Sequence, residues 1–89
     1  MKEIAGILFS QKKEEIDNVI SSEKEFNVDI IYDKVYGTKG CGVYKEKVKD
    51  YINEYLHLLN SVNYIKPVEI DLDRKLVTYS LNYGNLAFI

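Results

Sequence analysis

Most of the residues from which catalytic and metal sites are built are scarce in this chain. Cys41 is its sole cysteine, His57 its sole histidine, Arg74 its sole arginine and Pro67 its sole proline, and tryptophan is absent. One thiol makes no internal disulfide, so no covalent staple holds the fold. One cysteine and one histidine do not furnish an ordinary structural zinc site within a single chain. With Arg74 as the sole guanidinium, bidentate recognition of phosphate or carboxylate has a single candidate donor. No run approaches the ~18 apolar residues of a membrane span. Ile4 to Phe9 is too short, and too soon followed by charge, to serve as a signal peptide. A cytoplasmic location is the expectation.

An excess of one charge is missing too. Twelve basic and fourteen acidic side chains leave a formal net charge of −2, and neither half of the chain holds a basic arm. General nucleic-acid binding through phosphates is therefore not expected. The charge is also too small for an acidic mimic of DNA. The richness in Lys, Ile, Asn and Tyr suits an AT-rich coding genome and fits a small mobile-element or phage protein.

What is present is ordinary for a globular domain. Across 89 residues, 46% are hydrophobic and 29% charged. That length supports one domain, residues 1–89, burying roughly 60–65% of the surface its unfolded form exposes. The strongest periodic signal is Tyr44, Val48, Tyr51, Ile52, Tyr55, Leu56, Leu59 and Val62, which recur at helical spacing. It predicts a long helix ending near Ser61. Ile4 to Phe9 reads as a first strand, with Gly6 marking close backbone approach. Ser10 is placed to cap a helix reaching about Lys24, with Ile16, Val19 and Ile20 inward. Val28 to Tyr36 reads as a second strand. Val68, Ile70 and Leu72 alternate with Glu69, Asp71 and Asp73, predicting a half-buried strand after Pro67. Asp73–Lys75 turns into a strand over Leu76 to Tyr83, and Leu86 to Ile89 adds a short last one.

The predicted fold class is α+β: a two-layer sandwich with two helices on one face of a mostly antiparallel 4–5-stranded sheet. The order is β-α-β-(β)-α-β-β. If Cys41 to Tyr44 pairs back on the second strand, that order is ferredoxin-like.

Four features offer chemistry. The Gly37–Gly42 loop, placed before the long helix, can present backbone N–H groups and a helix dipole to an anion. Its ligand set would be Tyr36, Thr38, Lys39, Gly40, Gly42 and Tyr44, although its spacing is neither that of a phosphate loop nor a dinucleotide fingerprint. Glu69, Asp71 and Asp73 line one strand face, more readily a solvated face than a cation site. Cys41 and His57 fall in different elements, which disfavours a nucleophile–base pair. Of the eight tyrosines, Tyr51 and Tyr55 belong to helix packing. Tyr32, Tyr79 and Tyr83 are candidates for an interface patch on the open sheet face.

Two functions follow. The first is a non-catalytic binding protein that docks on another protein, as inhibitor or adaptor, or on a second copy of itself. The second is capture of a nucleotide or other phosphate-bearing signal at the Gly37–Gly42 loop. No cofactor, no metal and no membrane partner is expected. The long helix mixes Lys45, Lys47 and Lys49 with Glu46, Asp50 and Glu54, which argues against reading a DNA groove.

Overall fold

Asn27 and Gly37 bracket the segment that decides the architecture. In the computed structural model, which describes residues 4–37 and 40–82, the backbone at Asn27 is extended and its Oδ1 accepts a hydrogen bond from the Ile30 N–H at 2.9 Å. Gly37, at φ 64°, donates its N–H to the Asp33 carbonyl. An N-cap side chain at one end and a left-handed glycine at the other define a helix. Val28–Tyr36 is therefore helical, not the second strand expected from its apolar content. Ile31 and Tyr32 are neighbours and both are buried, which a half-buried strand does not permit. Val28, Ile31, Tyr32 and Val35 share one helical face instead.

The first strand is also corrected. Ile4–Gln11 forms α1. Ala5 and Gly6 are its buried residues, and they let it lie close against the long helix; a Cβ at Gly6 would stand 3.1 Å from the Tyr51 hydroxyl. What lies close to Gly6 is the Tyr51 side chain of the long helix, not the backbone of a neighbouring strand. After a turn at Lys12, α2 spans Lys13–Ser22 and buries Ile16 and Ile20. Val28–Tyr36 is α3. A 3₁₀ turn, Gly42–Tyr44, leads into α4, Lys45–Ser61, which buries Val48, Ile52 and Leu56. The long helix thus follows its predicted stripe. It ends in a Schellman arrangement: Tyr64 N–H donates to the Leu59 carbonyl and Asn63 N–H to Asn60, with Asn63 itself at φ 63°.

A hairpin completes the chain. β1, Ile65–Asp71, pairs antiparallel with β2, Leu76–Leu81, with a register irregularity between Pro67 and Glu69. Among the described residues this is the whole sheet apart from one bridge, Phe26 to Tyr79. The expected 4–5-stranded sheet and its ferredoxin-like variant are therefore not formed: two of the supposed strands are helices, and Cys41 to Tyr44 turns into α4. The predicted strand at Leu86–Ile89 lies outside the described residues.

Four helices and a hairpin meet in one core. Phe26, Ile16, Ile20, Ile31, Ile52, Leu56, Ile65 and Val48 are its largest fully buried side chains. The Phe26–Tyr79 bridge joins the layers: each residue donates its N–H to the other's carbonyl, at 2.9 and 2.8 Å. Both polar groups of Tyr79 thus point away from β1. Pro67, opposite Tyr79 in the register, then turns its nitrogen to the edge of β1 that no other described strand pairs with, where its missing N–H leaves the ladder intact. A ring cluster seals the other side. Phe9 stacks on Tyr51 at 5.8 Å and meets Tyr55 edge-on at 6.0 Å. The Tyr55 hydroxyl donates to Asp17 of α2, and Lys13 lies 4.7 Å from the Tyr55 ring centre.

Phe26 fills the centre and anchors the bridge, so Phe26→Ala is expected to cost about 3–5 kcal/mol. That is much of the roughly 4–13 kcal/mol typical of a chain this long. Urea denaturation checks it: the midpoint falls sharply, or the variant is unfolded in buffer.

Candidate functional site

In the loop before α4, three of the described backbone donors are spent within the chain. Gly40 N–H donates to the Tyr36 carbonyl, Cys41 N–H to the Tyr32 hydroxyl at 2.7 Å, and Tyr44 N–H to the Cys41 carbonyl. Tyr36 points its hydroxyl at the Leu8 carbonyl, 3.1 Å away, and its ring stacks on Tyr32 at 5.1 Å. Tyr44 is partly buried against the core. Gly42 is exposed, and Thr38 and Lys39 lie outside the described residues. Of the expected ligand set, Tyr36, Gly40 and Tyr44 are engaged within the chain. The described amides of Gly40 and Cys41 face inward, and the two aromatic rings serve packing.

The expected tyrosine interface is corrected as well. Tyr32 and Tyr79 are each 3% exposed. Both belong to the core, because neither stands on an open sheet face; Tyr83 lies outside the described residues. Burial disfavours the phenolate, so Tyr32, Tyr79 and Tyr55 all have raised pKa values, and Tyr36 is pushed up to about 12.

Cys41 precedes the first turn of α4 and His57 lies twelve residues beyond Lys45. That is about 18 Å along the helix, so the two do not form a pair. Glu69, Asp71 and Asp73 run along the exposed hairpin. Asp71 uses Oδ1 to accept the N–H groups of Asp73 and Arg74, shaping the turn. Among the described residues no three His, Cys, Asp or Glu side chains stand together as a metal site would need. None of the described helices is long and apolar enough to cross a membrane.

The residues the structure does bring together lie on α4 and the hairpin. Opposite the buried stripe, Glu46, Asp50 and Glu54 stand one helical turn apart on the outward face, all exposed, with Asn53 and His57 beside them. Their four-residue spacing was visible in the sequence as the polar complement of the stripe. The hairpin stands next to this face. Val68, Ile70 and Leu72 are 44%, 62% and 82% exposed, because β1 buries Ile65 alone and its tip runs beyond the core. A groove lined by Asp50, Asn53 and His57 of α4 and by Arg74, Lys75 and Val77 of the hairpin separates the two. At its α3 wall, Asp29 holds Lys49 at 2.5 Å and Arg74 at 3.4 Å. The bond to Asp29 raises the pKa of Lys49 and keeps it charged.

In chain order, α3, a connecting segment, α4 and the hairpin follow the sequence of elements of a helix-turn-helix with a β-wing. Such a motif lays its second helix in the DNA major groove. Here the connection, Gly37–Tyr44, is longer than the usual three to four residues. Comparison with known proteins found no matching family model, no matching curated protein and no matching solved structure.

Two measurements test the loop and its tyrosines. Gly40 and Gly42 both have positive φ, at 59° and 57°, but only at Gly40 would a Cβ meet an obstacle, the Tyr32 hydroxyl at 2.8 Å. Gly40→Ala should therefore lower the thermal midpoint by clearly more than Gly42→Ala, for Tyr32 is buried, stacked and bonded to Cys41. The tyrosines predict alkaline instability. An unfolded chain releases phenol protons from about pH 10, whereas Tyr36 holds its own up to about 12. The unfolded state then binds fewer protons, so stability falls as pH rises through that window. The urea midpoint should drop between pH 10 and 12, and Tyr36→Phe should make the drop shallower while costing about 0.5–1.5 kcal/mol at pH 7 for the lost bond to Leu8.

Proposed function

We propose that the chain is a non-catalytic docking domain that binds a protein partner rich in lysine or arginine and apolar side chains, through the outward face of α4 and the adjoining hairpin. One observation carries the reading: exposed carboxylates of α4, Glu46 and Asp50, line a groove shared with the hairpin, and the same hairpin leaves Val68, Ile70 and Leu72 in water. An exposed apolar group rimmed by charge is a usual mark of an interaction surface. The carboxylates choose the sign of the partner and steer its approach. Docking on a protein is what the scarcity of catalytic residues also supports. The surface differs from the expected tyrosine patch, since Tyr32 and Tyr79 are interior.

The helix-turn-helix order favours a second reading, duplex DNA binding by α4. The surface chemistry weighs against it. Glu46, Asp50 and Glu54 would face the groove, and the neighbouring cation Lys49 is already held by Asp29. Lys45 is drawn toward the Tyr32 ring, 5.6 Å from its centre. Phosphate contacts from Lys45, Lys47, Arg74 and Lys75 would give a log–log salt slope of only roughly −4.

The two readings predict opposite signs for one variant. The triple substitution E46K/D50K/E54K changes exposed positions and should fold normally, within about 0.5 kcal/mol per site. Fluorescence anisotropy with a labelled amphipathic Lys/Leu helical peptide, and separately with a labelled random-sequence duplex, reads the outcome. On the docking reading, wild type binds the peptide and the triple variant loses about tenfold in affinity. Tighter binding of wild type to duplex than to peptide, with a further gain in the variant, transfers the function to DNA.

A further inference from the structure

The groove between α4 and the hairpin already contains a cation of the kind an outside partner would bring. Arg74 reaches across it from the hairpin tip to Asp29 on α3. Two cations share that carboxylate unequally. Lys49 is 22% exposed and sits 2.5 Å from one oxygen; Arg74 is 64% exposed and touches the other at 3.4 Å through a single nitrogen. A well-seated guanidinium grips a carboxylate with two parallel bonds of about 2.7–2.9 Å. Arg74 has one long bond and leaves most of its donors to water. Lys49 is the fixed partner and Arg74 the exchangeable one. The hairpin has no buried residue between Lys66 and Thr78. Its tip can therefore give up this contact without opening the core, while Ile65, Tyr79 and Leu81 hold the base.

We propose that Arg74 is an autoinhibitory cation: it occupies Asp29 in the free protein, and a partner's lysine or arginine replaces it on docking. The inference rests on the docking reading given above and names the group within that face that is exchanged. Asp29 thereby becomes a contact for the partner, although it belongs to neither α4 nor the hairpin. The bond displaced is an exposed ion pair, so it holds back affinity by a small factor, about two- to fivefold.

The test compares Arg74→Gln with Lys75→Gln, which removes the same charge from the adjacent residue that makes no bond to Asp29. The probe is the labelled amphipathic Lys/Leu peptide at low salt, followed by anisotropy. Arg74→Gln should bind about two- to fivefold more tightly than wild type, and Lys75→Gln should gain less. Adding Asp29→Asn to Arg74→Gln should cancel the gain. Amide exchange gives a readout independent of binding: tip amides from Asp71 to Leu76 should exchange faster in Arg74→Gln, with those of Phe26 and Tyr79 unchanged. Equal gains in the Gln variants, or no gain in Arg74→Gln while wild type binds, overturn the role of Arg74 alone. Failure of both wild type and Arg74→Gln to bind the peptide overturns the docking reading and this inference with it.

Discussion

Everything in this fold depends on how Phe26 is used. Its ring is fully buried among the helices, while its backbone is bonded on both sides to Tyr79 in the hairpin. A single residue thus serves two layers, apolar through its side chain and polar through its main chain. Each layer alone would be marginal. A two-stranded hairpin does not hold itself together in water, and helices of eight to ten residues need tertiary contacts to persist. Without the bridge, the hairpin would be attached to the helices only through α4 and the few side chains at its base. With it, β2 becomes the middle of a short three-way arrangement, and the face that α4 shares with the hairpin acquires a defined shape.

The parts of this arrangement that were legible in the sequence are those with long periodicity. The α4 stripe extends over five turns, and apolar positions at that spacing have no alternative reading. The alternation around Val68 to Leu72 located a strand but not its burial: all three apolar residues are exposed, and β1 runs through Pro67 instead of starting after it. Short apolar runs behaved differently. Ile4 to Phe9 carries almost no polar residue by which to set a period, so strand and helix are indistinguishable there. Val28 to Tyr36 did carry the answer, in Asn27 and Gly37 at its ends and in apolar residues three and four apart. The β-branched content outweighed those end signals. Once both segments are helices, the large sheet disappears, and with it the open face on which Tyr32 and Tyr79 were placed. The exposed face of α4 was readable in outline, but its pairing with the hairpin and with Asp29 is a tertiary fact that no local pattern encodes.

Connectivity and surface chemistry point in different directions in this molecule. The order of helices and hairpin matches a motif that enters DNA grooves, whereas the outward side chains of α4 would bring carboxylates toward phosphates. Function resides in the site and not in the fold that carries it. A helix in a major groove surrenders the hydration of its outward side chains, and a carboxylate does so only for a matched donor. A protein surface bearing ammonium and guanidinium groups supplies such donors freely. The described part of the Gly37–Gly42 segment, Gly40 and Cys41, is tied to α3. Its hydrogen bonds to Tyr32 and Tyr36 set where α4 begins, and so where Glu46, Asp50 and Glu54 emerge.

Pro67 carries a consequence beyond the register it occupies. The outer edge of β1 is bordered by exposed Val68, Ile70 and Leu72, the composition from which intermolecular cross-β stacking starts. A strand added along that edge would meet a ring where it needs a donor, and next to it a kinked backbone. Glu69 and Asp71 would face their own copies in an in-register stack. The hairpin thus keeps oily side chains in water beside an edge that is a poor template for fibrils.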